Sequence, residues 1–258
     1  NALKKLLKKR MGDDIVHAFS HLEILKALRD QVLGCTFISI AAADKDQANK
    51  IFAILNAKGK RLAYIDLIKN KIFEELKDGV DGTFAEESWD EIKKLLNSGA
   101  ETIGMATFFR HYWISKYRRC NASVLYDNFN KTIAKKKETY KEFLRDLVNN
   151  AKNYVKIINP NRADYNNRKE YFWLVQSLST MNKTFNVVQT RIALLALYDV
   201  KERDLISTAQ FKKAIITMEN FHFAFTTICS MRTNNLEGIY SRFAIDLRKC
   251  TNKQETSK

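Results

Sequence analysis

Proline is nearly missing from this chain: Pro160 is the one proline in 258 residues, and there are only eight glycines. Proline breaks helix interiors and glycine weakens them, so their scarcity argues against a turn-rich β fold and favours long helices. Cysteine is sparse as well, and none of Cys35, Cys120, Cys229 and Cys250 forms a Cys-x-x-Cys pair. With no histidine at zinc-finger spacing either, a structural zinc site is not expected, and isolated thiols fit a reducing compartment. No apolar run is long enough to cross a bilayer, and no signal-peptide pattern is present. The expectation is a cytoplasmic chain with no membrane partner. Gly-x-Ser-x-Gly and a Walker-type glycine loop are absent. His17 and His21 stand at i, i+4 but without the glutamate of a zinc-protease motif. The acidic pairs Glu74-Glu75, Glu86-Glu87 and Asp90-Glu91 stand near lysines, as solvated helix faces do. No catalytic residue and no metal ligand is therefore assigned.

What is present is a core and a large positive charge. Hydrophobic residues make up 45% of the chain, enough to bury a core. The formal net charge is +15. Such a charge favours an anionic partner, with nucleic acid the first candidate. The competing reading is a lysine-rich composition that decorates every surface and binds nothing in particular.

Apolar residues recur with the helical period along most of the chain. Residues Leu3 to Arg10 alternate leucines with basic pairs, and Asp13 to Val32 carries a second helical pattern. Cys35 to Ile40 is β-branched and bounded by Gly34, which makes it the best strand candidate. From Asp44 to Leu76 the pattern is helix, tight turn, helix. Asp44 and Gln47 make a capping box, Ala48, Ile51, Phe52 and Leu55 form the first stripe, and Ile65, Ile68, Ile72 and Leu76 form the second. Residues 78–83 (Asp-Gly-Val-Asp-Gly-Thr) read as a soft loop. Glu101 to Arg119 is apolar on a broad arc, which marks a buried helix ending in Lys116-Tyr117-Arg118-Arg119. That cluster suits phosphates and stacked bases; alternatively it complements the helix dipole. Glu138 to Ile158 is the cleanest amphipathic helix, and Asn159 to Lys169 is the main linker. Further helices run over 170–179, 186–198, from a Ser207/Gln210 capping box onward, and 236–249. His222 lies on an apolar stripe, as a core histidine does. The fold class expected is mainly α: a bundle of about eight to ten helices with at most one or two short strands near 35–40.

Two stretches carry a resemblance. The first is Ile51-Phe52-Ala53-Ile54-Leu55-Asn56-Ala57-Lys58-Gly59, then Leu62, Asp66-Leu67-Ile68-Lys69-Asn70 and Phe73. The second is Phe221-His222-Phe223, Phe225-Thr226, Arg232, Tyr240-Ser241 and Ala244. Together they resemble the GmrSD-type restriction endonuclease family, whose ParB/sulfiredoxin-like first domain is followed by a long helical region. Where that family often has serine or threonine after the leucine, this chain has Ala63. The family's Asp-Gly-Gln-Gln-Arg stretch and its His-Asn-His nuclease motif do not occur here.

The resemblance implies a piece of a modification-dependent restriction or phage-defence protein. Residues 1–62 would be the end of the first domain, 63–158 and 170–250 two halves of a helical bundle joined by the linker 159–169, and 251–258 a disordered tail. The helical region would sense and connect, binding DNA weakly. Its other partners would be a nucleotide domain before it and a nuclease domain or subunit after it. This chain would hold no cofactor; the full-length protein would use a nucleoside triphosphate and magnesium. The candidate nucleotide-supporting turn is Asn56, Lys58 and Gly59 with Asp66, Lys69 and Asn70. The candidate DNA-binding residues are Arg110, Lys116, Arg118, Arg119 and Arg232. The alternative is a helical protein–protein interaction module.

Overall fold

The computed structural model describes residues 20–36, 63–133 and 136–257. These contain ten α-helices and no strand, so the chain is a mainly α-helical bundle. Cys35 and Thr36 are irregular; the rest of the expected strand, the Asp44/Gln47 cap and the helix starting there lie outside the described residues. The chain divides into two units, residues 1–60 and 61–258.

In the first unit the described element is α1 (His21–Leu33). Ser20 opens it with a capping box, in which the Ser20 amide donates to the Glu23 carboxylate at 2.7 Å and the Glu23 amide donates back to the serine oxygen at 3.3 Å. This satisfies two of the orphan amides every helix start exposes.

The second unit holds α2 (Tyr64–Glu75), α3 (Gly79–Leu96), α4 (Met105–Lys116), α5 (Leu125–Thr132), α6 (Lys137–Ile158), α7 (Phe172–Ser179), α8 (Thr190–Glu202), α9 (Thr208–His222) and α10 (Leu236–Lys249). The stripes of the sequence are its core. Ile65, Ile68 and Ile72 of α2, Trp89, Ile92 and Leu96 of α3, and Leu144, Leu147, Ala151 and Tyr154 of α6 are all buried. α4 is buried from Phe108 to Ser115 except at Arg110, which is partly exposed. Around it Phe109, Tyr112, Trp113, Phe129 and Phe143 form one aromatic cluster, with ring centroids 5.4 to 6.5 Å apart. Helices 63–158 and 170–250 share this core rather than forming separate bodies, with α8 packed on α4, α6 and α10.

Two pairs of helices run parallel. Lys141 pairs with Asp81 and Lys152 with Glu91, so α3 and α6 advance in the same direction. Arg110 meets Glu237, and Ser241 donates to the Ile114 carbonyl four residues on at 2.6 Å, so α4 and α10 do the same.

Three connections differ from the sequence reading. Residues 79–83 are helical, forming the start of α3 rather than a soft loop. Gly82 permits this, because a Cβ there would stand 3.1 Å from the Lys77 carbonyl oxygen and 3.3 Å from that of Leu76. The stretch 159–169 is anchored. Asn159 exchanges hydrogen bonds of 3.2 Å with the Glu101 backbone amide and carbonyl, and the Tyr165 and Tyr198 hydroxyls meet at 2.6 Å. The stretch 251–257 carries local structure. Thr251 donates to the Glu255 carboxylate at 2.7 Å, and the Thr256 hydroxyl donates to the Leu205 carbonyl at 2.9 Å.

Candidate nucleic-acid interface

α4 and α10 are clamped together along most of their length. The Arg110 guanidinium donates two parallel bonds, each 2.9 Å, to the Glu237 carboxylate. Further along, the Arg248 guanidinium of α10 donates to Asn150 of α6 at 2.8 Å and pairs with Asp199 of α8 at 3.1 Å. The clamp ends where α4 ends. Past Lys116 the chain leaves the helix, and residues 117–119 run beside α10, tied to it through Arg119 and Glu237. Between them lies a cleft of about 330 Å³, lined by Tyr117, Arg118, Arg119, Gly238, Ser241, Arg242, Ile245 and Asp246.

The cleft is electropositive for a structural reason. Arg119 lies over Gly238 at van der Waals distance and donates to Glu237 at 3.2 Å. Glu237 therefore faces two arginines, and the Arg110 hydrogen bonds hold its carboxyl below the usual range. The remaining carboxylate, Asp246, pairs with Lys249 at 3.2 Å. Arg118 and Arg242 have no ion pair among the described residues and are exposed. Tyr117 supplies a rigid wall: its ring stacks on Trp113 with centroids 4.5 Å apart. Burial pushes its phenol up to about 12, so it remains a neutral hydroxyl.

The sequence-predicted DNA-binding residues fall in three places. Arg118 and Arg119 line the cleft. Arg110 is engaged by Glu237, and Lys116 is engaged by Asp146 at 2.7 Å while lying 5.9 and 5.7 Å from the Tyr112 and Tyr117 ring centroids. Both are half-buried clamps within the protein rather than free cations. Arg232 is exposed, in the segment before α10. Arg242 was not predicted. Its signal was the row Gly238, Arg242, Asp246, which repeats every fourth residue and so lies along one helix face.

Of the nucleotide-supporting turn, Asn56, Lys58 and Gly59 lie outside the described residues. Asp66 and Asn70 are exposed on α2, and the Lys69 ammonium lies 5.0 Å from the Phe73 ring centroid. Among the described residues no group of three or more histidine, cysteine or carboxylate side chains is placed to hold a metal. No described helix is long and apolar enough to cross a membrane.

The chain matches no protein-family model, no curated protein and no solved structure.

Two buried histidines complete the polar inventory. His111 Nδ1 lies 2.5 Å from the Tyr154 hydroxyl. Arg191, whose charge acts on both His111 and Tyr154, donates to Asn182 at 3.1 Å. Burial, then the nearby Arg191 and Arg110 cations, push His111 down to about 4, so it is neutral. His222 is fully buried, as its place on an apolar stripe suggested, with Nε2 at 2.6 Å from the Tyr240 hydroxyl and Nδ1 without a partner. Of the downstream motif, His222 bonds Tyr240, Ser241 bonds the Ile114 carbonyl of α4, and Ala244 is buried.

Proposed function

We propose that this chain is a helical nucleic-acid-binding module that holds DNA by its phosphates, as the sensing and connecting region of a restriction or phage-defence protein. The observation that carries the binding reading is the cleft: Arg118, Arg119 and Arg242 line it together, against one lining carboxylate, Asp246, which pairs with Lys249. Phosphate oxygens are strong acceptors for such guanidinium groups. The chain's +15 charge supplies the long-range attraction. Placement in a defence protein, and a supporting role for Asn56, Lys58, Gly59, Asp66, Lys69 and Asn70 beside a nucleotide, rest on the resemblance of the sequence alone.

A helical protein-interaction module is the second reading. It is favoured by a group of exposed apolar side chains between Phe221 and Phe243.

The test is a salt titration of duplex DNA binding by the purified chain. Log affinity falls steeply with log salt as phosphate contacts release counterions, and replacing Arg118 and Arg119 by alanine lowers the slope by about one per lost contact. An absence of binding to any nucleic acid at low salt supports the protein-interaction reading instead.

A further inference from the structure

The arginine cleft has an apolar neighbour on the same helix. Gly238, Arg242 and Asp246 line the cleft. The next row round α10 is Ile239 and Phe243, again four residues apart, with side chains 62% and 44% exposed. Beyond that row Tyr240 bonds His222 at the end of α9. There α9 passes into a π-helical turn, Phe223–Ile228, which interrupts the helix and leaves its apolar residues uncovered. Such turns are frequent at functional sites. Among the described residues of the second unit, the large apolar side chains left exposed are Val80, Val124 and six that all fall between Phe221 and Phe243. The two segments that carry them meet where His222 bonds Tyr240, and exposed apolar side chains gathered in this way mark binding sites more often than ordinary surface scatter does.

The surface therefore runs from arginines to a phenylalanine within one turn of α10. A ligand that satisfies both must alternate anionic groups with flat apolar ones. A nucleic-acid duplex presents phosphates but hides its base faces in the stack. A single strand presents both, and its bases stack on exposed aromatic rings without regard to sequence. Phe221 and Phe225 already stack on each other, with centroids 5.1 Å apart and planes at 22°, and Phe221 keeps one side partly exposed. We propose that the cleft and the row beside it form a track for single-stranded nucleic acid: phosphates on Arg118, Arg119 and Arg242, bases against Phe243 and on toward Phe221. This rests on the nucleic-acid reading and adds the strand state of the ligand. The charge of the cleft favours this occupant over an apolar protein segment, which would leave the arginines unanswered.

The experiment is fluorescence anisotropy with labelled oligo-dT, oligo-rU and a DNA duplex of equal length, at one low salt concentration, using the whole chain. Either single strand is expected to bind about 10-fold or more tighter than the duplex, and the tighter of oligo-dT and oligo-rU identifies the natural strand as DNA or RNA. Phe243→Ala should weaken single-strand binding about 10-fold, the size of one lost base stack, and leave duplex binding unchanged. Phe243→Leu keeps an apolar side chain without the ring and should lose nearly as much; circular dichroism confirms that both variants fold. Arg242→Ala should weaken both ligands. Equal affinity for strand and duplex, or no effect of either Phe243 variant, overturns the track, while duplex binding that still falls in the Arg118→Ala, Arg119→Ala variant leaves the phosphate-binding reading standing. No binding of any nucleic acid overturns both and assigns the exposed phenylalanines to a protein partner.

Discussion

Arg110 and Glu237, 127 positions apart in sequence, join α4 to α10 through two parallel hydrogen bonds of 2.9 Å. The same carboxylate receives Arg119 from the edge of the cleft at 3.2 Å. One side chain thus fixes the helix pair and restrains a cleft cation.

Glu237→Gln separates these roles. Both partners of the Arg110 pair are mostly buried, so the substitution leaves a guanidinium with a poorer acceptor and costs on the order of 1–3 kcal/mol, read from urea unfolding. In the folded protein it also releases Arg119 and removes a negative charge beside the cleft. Nucleic-acid affinity should therefore rise severalfold although stability falls. A parallel fall in both would mean that the cleft is not the binding surface.

His111 makes the fold acid-sensitive over a definite window. Its folded value of about 4 lies below its ordinary 6.5, so the unfolded chain takes up the proton more readily. Stability from this residue is complete above about 6.5 and is lost as pH falls toward 4, on the order of 3 kcal/mol in all. Burial lowers His222 too, and Glu237 is lowered by Arg110, so both add losses of the same sign. Urea midpoints measured between pH 7 and 4 should fall steadily for the wild type and less for His111→Gln. An identical pH dependence in the two proteins contradicts the assignment.

Gly82→Ala sets helix propensity against close contact. Alanine gains about 1 kcal/mol over glycine inside a helix. The added methyl would press on the carbonyl oxygens of Leu76 and Lys77, which are backbone and yield at a cost of about 1–3 kcal/mol. Net destabilisation is expected in urea unfolding. A stabilised variant would show that the turn into α3 relaxes freely.

The helices were legible in the sequence because their signals are local. The 3.6-residue stripes of α2 and α6 became buried faces, the Ser207/Gln210 capping box opened α9, and α10 spans Leu236–Lys249 as read. The start of α3 was obscured because Asp-Gly-Val-Asp-Gly-Thr has loop composition; Gly79 is there for its left-handed backbone (φ 55°) and Gly82 for the close approach of the preceding turn. The cleft was half legible. Arg118 and Arg119 stood out as neighbours after an aromatic helix, but their counterpart Arg242 comes from α10, and nothing local shows that α4 and α10 run parallel. Nor does sequence show which cations are engaged internally: Arg110 and Lys116 look like their neighbours until Glu237 and Asp146 are seen opposite them.

The most direct test of the central claim is amide hydrogen exchange with and without a saturating oligonucleotide. If the cleft holds the phosphates, protection should increase at residues 117–119 and along 238–246, and exchange in α3 and α6 should stay unchanged. Protection confined to other helices, or none at a concentration where anisotropy shows full binding, would contradict the account.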